Sequence, residues 1–132
     1  MDVNEKRKLL QELLEEAEYI RIHRPSALSG NSLLPSKESS QAYVHIDEAL
    51  EKMGDIKYNY QDYLIYGLNC DKELTRIPTA NYELCTAILT MLLREEHFCF
   101  GSFEPRVWNG DVKLVLERML EVLGIMALQS PV

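Results

Sequence analysis

The residues Leu92–Phe103 read LLREEHFCFGSF. Between Arg94 and Cys99 they bring together a cation, two carboxylates, an imidazole and a thiol. Three chemistries use that set: metal ligation, thiol nucleophilic catalysis and anion recognition. Each makes demands on spacing. Structural zinc draws on close ligand pairs and four ligands in all, and His97-Phe98-Cys99 supplies only a lone H-x-C. No H-E-x-x-H occurs, and no E-x-x-H recurs on two helices as a di-iron bundle site requires. Glu95 and Glu96 are adjacent, so on a helix they point about 100° apart. A thiol nucleophile needs a histidine, and His97, His45 or His23 could serve Cys99. However, Phe98 and Phe100 flank Cys99, which predicts a dry, structural thiol. Glycine-rich phosphate loops are absent. Neither a metal or other cofactor nor a catalytic residue is therefore expected.

The elements that must carry these residues follow from periodicity. Leu9, Leu10, Leu13, Leu14, Ala17 and Ile20 recur at helical spacing, predicting a first helix over Asn4 to Ile22. His23 to Ser40 is rich in Ser, with Pro25, Pro35 and Gly30, and reads as one long loop. Its Leu28, Leu33 and Leu34 would let it act as a flap over a groove. Tyr43, Ile46, Ala49, Leu50 and Met53 predict a second helix over about Ser39 to Met53, stopped by Gly54. KYNYQDYLIYGLNC reads as a short helix, with Asn59 as its cap and Gly67 as its end. In it Tyr60, Tyr63 and Tyr66 are candidate partner-binding side chains, their rings half-dry and their hydroxyls wet.

A central helix is expected over about Ala80 to Phe98, capped by Thr79, with Leu84, Ile88, Met91 and Leu92 on one face. A brief helix fits Ser102 to Trp108. A last one fits Asp111 to Leu123, capped by Asp111 and ended by Gly124. No run alternates as a strand does. The expected fold is all-α, an orthogonal or bundle-like array of four to five helices in a single domain over 1–132.

Composition narrows the partners. The chain has 132 residues, 46% apolar and 27% charged, enough to bury a core without disulfide staples. Its net charge is −7, and both halves are acidic, with 7 basic against 10 acidic residues through Met53 and 7 against 11 after. Phosphate backbones and anionic membranes require a basic face, so neither nucleic acid nor membrane is an expected partner. A helix-turn-helix reading fails similarly, because the last helix sets Lys113 and Arg118 against Asp111, Glu117 and Glu121. Cys70, Cys85 and Cys99 are odd in number and follow no C-x-x-C spacing, which fits reduced thiols in a cytoplasmic protein. No secretory signal or membrane-length apolar run appears.

The pattern R-x-x-x-F-x-x-G, a second glycine and a later arginine is formed by Arg94, Phe98, Gly101, Gly110 and Arg118. Over roughly Tyr82 to Leu120, within a C-terminal core of 80–124, the chain resembles a family of small bacterial domains of unknown function. The resemblance implies a bacterial or phage-related source and carries no activity. The residues themselves predict a structural corner. Phe98 plugs the core, Gly101 turns the chain and Ser102 caps the next helix, while Arg94 meets the helix dipole or a neighbouring carboxylate. The functional expectation is a protein-binding or self-associating module, such as a homodimer, by way of the tyrosine stretch and the first helix. The competing one is a small-molecule site or enzyme with Arg94, Glu95, His97 and Tyr63 around a pocket under the 23–40 loop.

Overall fold

A computed structural model describes residues 1–24 and 35–129. Leu28, Leu33 and Leu34, and with them the flap, lie outside the described residues. The described chain is all-α with no strand. Six helices follow in order: α1 (Val3–Ile22), α2 (Lys37–Met53), α3 (Cys70–Leu74), α4 (Tyr82–Phe98), α5 (Phe103–Trp108) and α6 (Asp111–Gln129).

Local chemistry fixes most helix ends. The Asp2 carboxylate accepts from Glu5 N at the start of α1. Ser36 caps α2, three residues earlier than the expected start, by accepting from Ser39 N. Gly54 closes α2 with φ 72°, a left-handed geometry that suits a residue without Cβ. Asn81, rather than Thr79, caps α4, its side chain accepting from Leu84 N. Gly124 does not end α6, which runs on to Gln129. Within one helix an isolated glycine costs only about 1 kcal/mol, and the neighbouring Leu123 is buried. Asp111 opens α6 but is no cap, because its carboxylate accepts from Arg106 instead.

The four long helices run up, down, up and down. Glu16 pairs with His45, and Leu9 shares a groove with Lys52, so α1 and α2 are antiparallel. Glu18 near the end of α1 pairs with Lys113 near the start of α6, which runs back along α1. At the lower end Lys6 of α1 pairs with Asp55, which also accepts from the Tyr82 hydroxyl at the start of α4. Burial and then the Asp55 contact hold that phenol well above the usual tyrosine range.

The core sits around α4. Every residue from Cys85 to Leu93 is buried, so this stretch is surrounded on all sides. Leu10, Ile46, Leu50, Phe103, Leu116, Met119 and Leu123 close on it from the other elements. Its two buried threonines are satisfied. Thr90 donates to Thr86 O at 2.7 Å and accepts from Lys57 N at 3.2 Å.

The tyrosine stretch is not the expected helix. Only Tyr60–Tyr63 form a 3₁₀ turn, and Asn59 makes no cap bond. A second acid replaces helical hydrogen bonding there. Glu73, fully buried on the short α3, accepts from Ile65 N, Tyr66 N and Arg76. A buried carboxylate is tolerable only when so paired.

Glu18 lies between Arg21 and Lys113, and its carboxyl is held below the usual range chiefly by the Arg21 hydrogen bond. A depressed carboxyl contributes stability above its unfolded value and loses it as pH falls through the folded value. Glu18→Gln should therefore lower stability at pH 7 and flatten the stability-against-pH curve below its ordinary value of 4.5, so that the two proteins converge as pH falls. Chemical denaturation at a series of pH values reads this directly, and parallel curves for the two proteins would refute it.

Candidate functional site

The upper end of α4 carries the residues singled out by sequence. Its last turn exposes Arg94, His97 and Phe98, and Cys99 closes it by donating its N–H to Glu95 O at 2.7 Å. Gly101 then takes φ 91°, and α5 begins at Phe103. Ser102 makes no cap bond, and its buried Oγ has no partner among the described residues. Glu96 does that work. Its two carboxylate oxygens accept from Gly101 N at 2.7 Å and Phe103 N at 3.0 Å, one on each side of the turn. A negative charge at a helix start also suits the dipole.

Phe98 departs from expectation. It is 78% exposed, and Phe100 is 74% exposed. The ring that fills the core at this corner is Phe103, which packs edge-on against Tyr43 at 5.3 Å. The reason is geometric. Leu92 and Leu93 complete the buried surface of α4, and Phe98 falls in the final half-turn, beyond the elements that surround the helix. The same geometry exposes Cys99, which is not the dry thiol its neighbours suggest. Cys70 and Cys85 are buried, and burial pushes both thiols up to about 12.

Beside this corner lies an open groove of about 340 Å³ between α2 and the α4–α5 turn. Tyr43, Val44, Phe100 and Phe103 supply its apolar walls, and Glu96, His97 and Glu104 its polar rim. Glu104 also reaches Ser36 N at 2.8 Å, bracing the start of α2. The Tyr43 hydroxyl donates to Leu93 O, and burial raises its pKa.

Arg94, Glu95 and Tyr63 do not join His97 there. Arg94 is exposed and has no ion pair among the described residues. Glu95 faces Arg106, which binds it through Nε and Nη2, each at 3.0 Å. The Arg106 Nη1 group also reaches Asp71 at 2.7 Å and Asp111 at 3.1 Å, so one guanidinium joins α3, α4, α5 and α6. The Glu95 hydrogen bond, opposed by burial, raises the Arg106 pKa above its usual value. This is the arginine–carboxylate anchor expected of Arg94, made by a residue outside the pattern. Tyr63 lies near the other end of α4, its hydroxyl 3.5 Å from Glu83. Glu83 and His97 are about 21 Å apart along the helix. Tyr60 is buried and Tyr66 exposed, so the three tyrosines share no binding face.

The remaining pattern residues are structural. Gly110 has φ 85° and lies against Arg21, whose Cδ would be 3.9 Å from an added Cβ. Arg118 donates to Ala80 O at 2.9 Å, tying α6 to the approach of α4, and pairs with Glu121. Among the described residues no group of three or more His, Cys, Asp or Glu is placed to hold a metal ion, and no helix is long and apolar enough to cross a membrane.

No protein-family model matches the chain, and no characterised protein or solved structure matches it significantly.

Two outcomes are expected. Arg106→Ala leaves Glu95 half-buried without its partner and should cost about 2–3 kcal/mol, whereas Arg94→Ala should cost under ~0.5 kcal/mol. Urea midpoints with an unchanged slope measure both, and equal losses would overturn the assignment. Titration with a disulfide reagent should find one fast thiol per folded chain, Cys99, and three in denaturant. Two or three fast thiols in the native protein would contradict the burial of Cys70 and Cys85.

Proposed function

We propose that this domain works by non-covalent binding of protein, through the corner formed by Phe98, Phe100 and the groove beside them. The observation that carries the reading is the pair of nearly bare phenylalanine rings on a turn that Glu96 holds rigid. Aromatic side chains dominate interface hot spots, and an anchor held in place before contact loses little entropy on binding. The groove is open and shallow, with its carboxylates engaged by backbone N–H groups of Gly101, Phe103 and Ser36. That suits contact with a protein side chain better than enclosure of a small substrate. Three free thiols accord with a reducing compartment such as the cytoplasm. The Arg94-Phe98-Gly101-Gly110-Arg118 pattern supports placing the chain among the small bacterial domains it resembles.

The test is the double variant Phe98→Ser/Phe100→Ser. With both rings in solvent, its melting temperature should stay within roughly 2 °C of wild type, and cross-linking at the corner should be lost. A fall of more than about 8 °C would mean that the rings support the fold, since burial of such rings is worth about 3–5 kcal/mol each.

A further inference from the structure

Resting on that reading, we infer that the occupant of the corner is a second copy of this chain, related by a two-fold axis, with Phe98 of each copy seated in the groove of the other. The corner holds both halves of such a contact. Phe98 stands outside the groove, edge-on to His97 at 5.6 Å, and projects into solvent. The groove lies immediately beside it, with His97 in its rim and Phe100 in its wall. Its volume of about 340 Å³ is ample for a benzyl group, given that a cavity of roughly 150 Å³ can hold a benzene ring. A knob and a hole on the same face close on themselves under two-fold symmetry. On different faces they would propagate an open chain.

Charge points the same way. Arg94, one helical turn before Phe98 and exposed, flanks the knob, and Glu96 and Glu104 line the hole. Exchange across the axis sets cation against carboxylate. Two other apolar surfaces lack this self-complementarity. The groove between α1 and α2 is lined by Glu12, Glu16, Glu48, His45 and Lys52 around Leu9, Leu13 and Ala49, and no aromatic side chain beyond His45 lines it to act as a knob. Ile65, Tyr66 and Leu68 are exposed, but no groove borders them among those described. The overall charge of −7 opposes pairing at long range, and salt screens that repulsion together with the attraction of Arg94 for the carboxylates.

The experiment is sedimentation equilibrium of the full chain up to ~1 mM, with one variant lacking the knob, Phe98→Asp, and one with the hole filled, Val44→Trp. Wild type should dimerise with increasing concentration. Each variant alone should pair at least tenfold more weakly while melting within a few degrees of wild type. Their mixture should regain part of the affinity, because the knob of one variant still fits the open hole of the other. Should Phe98→Asp fail to fold, Phe98→Ala replaces it. Wild type monomeric throughout, or a dimer indifferent to both substitutions, overturns the two-fold pairing. In either case the binding reading stands or falls separately, on the melting and cross-linking of the double serine variant.

Discussion

Everything in this fold answers to one constraint: the middle of α4 has no face that can touch water. Nine consecutive residues, Cys85 to Leu93, are buried, so the other elements must enclose that helix on every side. The threonines within it are admissible only because Thr86 and Thr90 find backbone partners. A helix so enclosed needs a firm ending where its cover stops. That ending is built from two glutamates at adjacent positions. Glu95 turns inward to Arg106, and Glu96 turns along the chain to the N–H groups of the next helix.

Much of this architecture was legible in the residues. The stripes of α1, α2, α4 and α6 mark the long helices to within a few positions, except at the end of α6, because apolar periodicity and burial are the same fact seen twice. The short elements were not legible. α3 is too short to show a period, and the segment around Tyr60 is shaped by Glu73, whose partners lie eight and seven residues away. Gly124 was misread because a glycine ends a helix only where the following chain has reason to leave, and Leu128 and Gln129 continue it.

The corner shows a different limit. Its polar letters were visible, but their assignments were exchanged. Arg94 occupied the pattern, and Arg106 holds the carboxylates. Ser102 occupied the capping position, and Glu96 caps. Phe98 occupied the helical stripe, and Phe103 fills the core. Each exchange concerns a residue within one turn of a helix end. Spacing along a sequence specifies direction only while the helix and its neighbours both continue, and here both stop together.

The up-down-up-down course of the long helices has a consequence for orientation. Val3 begins α1 and Gln129 ends α6 at the same end of the bundle, whereas the α4–α5 turn lies at the other. A helix the length of α6 spans roughly 28 Å. A chain tethered by either Val3 or Gln129, whether to a bead, a sensor chip or a fused domain, therefore displays the Phe98 corner outward, on the far side from its point of attachment.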